Sequence, residues 1–150
     1  MEFITKNGQK SVKINIASFK DTMRLKRQAV KCLSESNITD SAKGLKDIGT
    51  TTVIDKLLNL LINADMSEEF EDAVFACLST CIYDDKYKIN SQLFDDIKEA
   101  REDYYEIVSK CIEENLRPFF KSLVSELRTR LETIKFDIPE LELPQTKTSA

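Results

Sequence analysis

Acidic residues one helical turn apart are the feature of this sequence that comes closest to chemistry. Glu68 and Glu71 form an ExxE pair, Asp96 and Glu99 form a similar pair, and Asp103 follows them. Carboxylates at this spacing on two antiparallel helices can hold Mg²⁺. The first pair, however, lies away from the apolar face of its own predicted helix, where solvated residues would lie.

These carboxylates keep one enzymatic hypothesis open. All-α, Mg²⁺-dependent nucleotide pyrophosphohydrolases use a comparable ExxE pattern on two helices. The chain contains no histidine, which removes the commonest general base and every Ser-His or Cys-His nucleophile pair. It also lacks the glycine-rich loops that cradle phosphates. Residue chemistry therefore favours a protein without catalysis, and predicts no cofactor and no metal site.

Four cysteines remain as possible ligands. They are Cys32, Cys77, Cys81 and Cys111, and none belongs to a CxxC pair. Cys77 and Cys81 lie four residues apart on an apolar helix face, a spacing that could supply two metal ligands. Free cysteines in a reducing compartment usually serve as small core residues, and we expect that here.

The net charge of −4 conceals two segments of opposite sign. Residues 1–31 carry eight basic and two acidic residues, a net of +6, whereas residues 65–106 carry thirteen acidic and four basic residues, a net of −9. Arg24, Arg27 and Lys31 recur at near-helical spacing on the predicted outer face of one helix. Complementary patches could drive head-to-tail association, although two ordinary solvated faces would look the same.

The basic helix could alternatively contact nucleic acid, where Lys and Arg neutralise phosphates. No aromatic residues interleave with the basic ones, and no helix-turn-helix or RNP pattern is present. A small nucleic-acid-binding regulator is therefore a second alternative, and the acidic chain as a whole argues against it.

Local patterns predict a small N-terminal β-hairpin, residues 1–17, followed by helices. Asn7-Gly8 separates two alternating segments, and this dipeptide favours turns with positive φ. Ser18 with Asp21 predicts the start of a helix with Phe19, Met23, Ala29, Val30 and Leu33 inward. Thr52 and Ser67 begin two further helices. Residues 83–89 predict a turn and strand beside the hairpin, and residues 91–94 a brief helical start.

The segment from Ala100 to Leu131 is the strongest helical pattern. One apolar stripe precedes Pro118 and a second follows it, which predicts two consecutive amphipathic helices, because proline ends or kinks a helix. Phe119 and Phe120 point about 100° apart on a helix. Phe120 aligns with the later stripe and is predicted to enter the core, whereas Phe119 is predicted to meet a partner. The first stripe comprises Ala100, Tyr104, Ile107, Val108, Cys111 and Ile112.

Composition and pattern together predict the fold class. At 150 residues with 41% hydrophobic content and only three glycines, the chain suits one mainly α (α+β) domain of about five helices. We expect the domain to span residues 1–135, with residues 136–150 as a flexible tail. No apolar run is long enough to cross a membrane, and the N-terminus lacks a signal sequence, which predicts a cytoplasmic protein.

Three stretches resemble the tail assembly chaperones of long-tailed bacteriophages or prophages of Gram-positive bacteria. They are ITKNGQKSVKINIASFKDTMRLKRQ near the N-terminus, SEEFEDAVFACLSTCIYDDKYKIN in the middle, and AREDYYEIVSKCIEENLRPFFKSL. They cover about two thirds of the chain and carry no catalytic signature.

The resemblance implies a non-catalytic homo-oligomer that binds the tape-measure protein in the host cytoplasm and leaves as the tail tube protein polymerises. It would be absent from the mature virion. Many relatives have a longer frameshifted product, which a protein sequence does not reveal. Arg24, Arg27, Lys31 and Phe119 are the residues we expect to bind partners.

Overall fold

The computed structural model describes residues 1–35 and 67–123, together with Asp55, Asn59, Ser125, Glu126 and Thr129. These residues form a mainly α-helical domain with a small antiparallel sheet, as predicted. In chain order the elements are β1 (Glu2–Ile4), β2 (Ser11–Lys13), α1 (Phe19–Glu35), α2 (Glu68–Leu78), β3 (Ile82–Tyr83), β4 (Tyr87–Lys88), α3 (Ser91–Asp96), α4 (Lys98–Glu102), α5 (Tyr104–Leu116) and a 3-10 turn (Arg117–Phe119). The predicted helix after Thr52 and the tail 136–150 lie outside the described residues.

The sheet has the strand order β1-β2-β3-β4, with every pair antiparallel. Val12 lies opposite Phe3 on one side and Tyr83 on the other. The prediction that residues 83–89 extend the hairpin is therefore confirmed. Val12 and Tyr83 are both buried, so the inner face of the sheet packs on the helices.

The hairpin turn differs from its prediction in backbone conformation. Gln9 has the positive φ, at 53°, and no glycine among the described residues does. The Asn7-Gly8 signal correctly located the hairpin, but the left-handed residue of its turn is Gln9. The glycine serves a different need, because a Cβ at Gly8 would lie 2.5 Å from Oδ2 of Asp103.

Helix α1 begins at the predicted cap. The Asp21 amide donates to Ser18 Oγ at 3.2 Å, which satisfies one of the unpaired amides of the first turn. Leu25, Ala29, Val30 and Leu33 face the core. The prediction that Phe19 points inward is wrong, because its side chain is 71% exposed. The buried face starts one turn later, so the first residue of α1 lies beyond the edge of the core.

The core forms where α1, α2 and α5 pack together. Ser67 caps α2 by accepting from the Phe70 amide at 3.2 Å, as predicted. The first stripe of the Ala100–Leu131 segment is buried except for the half-buried Tyr104. Pro118 lies in the 3-10 turn that follows α5, and Phe120 packs against the core. No helix within the described ranges is long and apolar enough to cross a membrane.

Candidate partner-binding surface

The outer face of α1 carries the basic residues that the charge pattern singled out. Lys20, Arg24, Arg27 and Lys31 are all exposed. They recur every three or four residues and so share one face of the helix. Within the described part of the chain none of them forms a salt bridge. The basic stripe therefore lies on the surface of the described part of the chain.

Lys26 interrupts the rule that lysines face outward on this helix. It is 6% exposed, and its ammonium group donates to Ser122 Oγ at 2.9 Å and pairs with the Glu126 carboxylate. This contact ties α1 to the chain beyond Pro118. The signal for it in the sequence was helical spacing, since Lys26 lies three residues before Ala29 and four before Val30, which were both predicted to face inward.

An aromatic pair lies at the start of α1. The Phe19 and Phe119 rings meet edge to face, with 5.9 Å between their centroids. Phe19 remains largely exposed and Phe119 is half-buried. Sequence reasoning assigned Phe119 to a surface edge but missed its neighbour, because the two residues are 100 positions apart.

A buried asparagine holds this end of α1 on α5. Asn115 is fully buried, and its side-chain oxygen accepts from the Ala17 amide at 2.9 Å and from the Thr22 hydroxyl at 3.3 Å. Its side-chain amide donates to the Cys111 carbonyl at 2.9 Å. All its polar atoms therefore have partners, and Phe19 is held beside Phe119.

A buried carboxylate holds the hairpin on the helices. Asp103 is fully buried between α4 and α5, and it accepts from the Gly8 amide and the Tyr83 hydroxyl, both at 2.9 Å. The close approach that Gly8 permits thus serves this contact. Burial and the hydrogen bond to Asp103 raise the pKa of the Tyr83 hydroxyl. The signal in the sequence was an acid on the inner stripe, three residues after Ala100.

The structure does not gather the carboxylates of the metal hypothesis. Glu68 and Glu71 are exposed on α2. Asp96 ends α3 and Glu99 lies in α4, with the extended Ile97 between the helices, so the second pair does not share a helical turn. Within the described ranges no three acidic, cysteine or histidine side chains form a group that could hold a metal ion.

The cysteines are core residues. Cys32, Cys77, Cys81 and Cys111 are all buried, as expected. Burial raises the pKa of the Cys77 thiol to about 12. A hydrogen bond with Cys81, together with burial, raises the pKa of Cys111. High pKa values and burial make these two thiols poor nucleophiles.

Comparison with known protein families gives a match over most of the chain. The family described as "Phage tail assembly chaperone protein, TAC" matches residues 8–128. No curated protein and no solved structure matches the chain. The matched region contains the basic stripe, the aromatic pair, Asn115 and Asp103, and it confirms the resemblance found in the sequence. The chain therefore belongs to the phage tail assembly chaperone family.

Proposed function

We propose that this protein is a non-catalytic chaperone that binds the tape-measure protein and self-associates while the phage tail assembles. It acts in the host cytoplasm and leaves as the tube protein polymerises. The observation that carries the proposal is the exposed surface of α1, on which Arg24, Arg27 and Lys31 lie without salt bridges to described residues. Family membership supports the assembly role.

The two parts of this surface suit different contacts. A tape-measure protein that presents long apolar surface needs apolar contacts, and Phe119 with the exposed Phe19 offers aromatic area for them. The basic stripe suits contact with an acidic surface, and we assign Arg24, Arg27 and Lys31 to self-association. A chaperone must also release its client, which favours modest, charge-assisted interfaces over large dry ones.

The first test compares two neighbouring phenylalanines. Phe119→Ala should leave the melting temperature close to wild type, because the ring contacts the exposed Phe19, and should reduce co-purification with co-expressed tape-measure protein. Phe120→Ala is the matched control. Its ring packs against the core while half-buried, so its loss should cost about 2–4 kcal/mol, somewhat less than a fully buried ring.

Two results would count against the proposal. If the wild-type protein never co-purifies with the tape-measure protein, the proposal that it binds this protein is refuted. If Phe119→Ala destabilises the fold as much as Phe120→Ala does, Phe119 is a packing residue and the aromatic pair is no binding surface.

A further inference from the structure

An aromatic groove lies between α2, α3 and α5. Phe75, Phe94, Tyr104 and Tyr105 line a cavity of about 450 Å³ there. Tyr104 meets Phe94 and Tyr105 edge to face, with centroid distances of 5.2 and 5.1 Å. Tyr105 is 46% exposed, so the groove opens to solvent on its side. No described residue of α1 contributes to it.

Carboxylates surround this groove. Asp95 lines it directly, and Glu71 and Asp72 line an adjoining cavity of about 400 Å³ that shares Phe75 with it. Burial and, after it, the negative charge of Glu71 raise the pKa of Tyr104 to about 12. The Glu71 carboxylate therefore acts electrostatically on a residue that lines the groove. Aromatic faces ringed by carboxylates attract cations.

The groove already holds one guanidinium of its own chain. Arg101 lines the cavity, with its Nη2 atom 3.7 Å from Asp95 Oδ1, and its Nε–H donates to the Phe94 carbonyl oxygen. Three carboxylates against this one cation leave a net charge of −2. The surroundings therefore favour further guanidinium groups, which stack on aromatic faces and pair with carboxylates in two-point contacts.

We propose that this groove binds Arg24 and Arg27 of a second copy of the chain. The two arginines are three positions apart on an exposed helical face, so they project side by side. One can stack on the aromatic rings while the other pairs with Glu71 and Asp72. This inference rests on the self-association in the proposed function and supplies its receiving surface.

The two proposed contact surfaces lie on different elements of the chain. The stripe lies on α1, and the groove is built from α2 to α5. A copy whose stripe fills a neighbour's groove still offers its own groove to the next copy. Where each copy binds a different neighbour, this heterologous contact builds a ring or an open helical array, whereas two copies that exchange stripes close a two-fold dimer.

Charge reversal on each side gives the test. Variant one carries Arg24→Glu with Arg27→Glu, and variant two carries Glu71→Lys with Asp72→Lys. At low salt each should self-associate at least ~10-fold more weakly than wild type in concentration-dependent light scattering, because like charges then face each other. An equimolar mixture of the two should regain association, which a variant that merely misfolds would not do.

A tyrosine pair tests the aromatic contribution. Tyr105→Ala should weaken self-association about 2- to 5-fold, as loss of one exposed cation–π contact does. Tyr87→Ala is the control, since Tyr87 is 38% exposed on β4 and does not line the groove. It should associate like wild type.

Three outcomes would overturn the groove proposal. In the first, variant two and the separate Tyr105→Ala variant both self-associate like wild type. In the second, the equimolar mixture associates as weakly as each of its components. In the third, the wild-type chain is monomeric at all concentrations and at low salt. Co-purification with the tape-measure protein is scored separately. A chain that binds the tape-measure protein without self-associating would refute the groove proposal and leave the proposed chaperone role intact. Self-association without binding to the tape-measure protein would refute the chaperone role and leave the groove proposal intact.

Discussion

Removal of the Asp103 carboxylate should destabilise the fold more than any surface change, because it joins two parts of the chain that are far apart in sequence. The carboxylate accepts one hydrogen bond from the Gly8 amide and one from the Tyr83 hydroxyl, both at 2.9 Å. It is fully buried, and Tyr83 is 1% exposed. Asp103→Ala therefore leaves the tyrosine hydroxyl without an acceptor in a place that water does not reach.

The size of the effect follows from these two bonds. Hydrogen bonds to a charged group contribute about 1.5–3 kcal/mol each. The half-buried Gly8 amide can regain water, so the total for Asp103→Ala should be about 3–5 kcal/mol. A domain of this size is stable by only about 5–15 kcal/mol. Asp103→Asn should cost less, about 1–2 kcal/mol, because the amide oxygen can still accept from Gly8 and its NH₂ group can donate to the Tyr83 oxygen.

Urea unfolding followed by circular dichroism measures both variants. A double-mutant cycle with Tyr83→Phe isolates the hydroxyl–carboxylate contact and should give a coupling of about 1–3 kcal/mol. An Asp103→Ala variant within about 0.5 kcal/mol of wild type, the size of an ordinary surface substitution, would refute the reasoning. A coupling near zero would show that the two groups act independently.

Two further predictions concern the same contact and its surroundings. Gly8→Ala places a Cβ 2.5 Å from Asp103 Oδ2, so the carboxylate must turn away. The free energy of unfolding, measured by urea titration, should therefore fall by about 1–3 kcal/mol. An unchanged midpoint of unfolding would contradict this geometry. Burial raises the pKa of Tyr83 and of Tyr104 above the ordinary value of 10.0. Below pH 10 both states keep these protons; above it only the unfolded state releases them, so stability should decline from about pH 10 upward, and less steeply in Tyr83→Phe.

Local patterns in the sequence were sufficient for the helices and the hairpin. Ser18 and Ser67 mark helix starts because each supplies a side-chain oxygen to an unpaired amide of the first turn. The apolar stripe through Ile107 and Cys111 identified the buried face of α5, since helical spacing places such residues together. The exposed basic stripe followed from the same periodicity.

The same local patterns failed where long-range packing determines which residues are buried and where a helix ends. Phe19 fits the apolar spacing of α1, yet the core begins one turn later, so its ring meets Phe119 at the surface. The spacing of Asp96 and Glu99 suggested that both lie on one face of a helix, but the helix is interrupted at the extended residue Ile97. Spacing alone does not reveal where a helix ends within an acid-rich segment.

Only the tertiary structure determined which polar side chains are buried. Asp103, Asn115 and Lys26 look like surface residues by type, and each becomes buried because its partner comes from a segment more than 90 positions away. Burial of such a group is stable only when its hydrogen bonds are complete. Periodicity is a property of neighbouring residues, so the sequence determined which faces are apolar, whereas contacts between distant segments determined which polar side chains could join the core and which rings would form a groove.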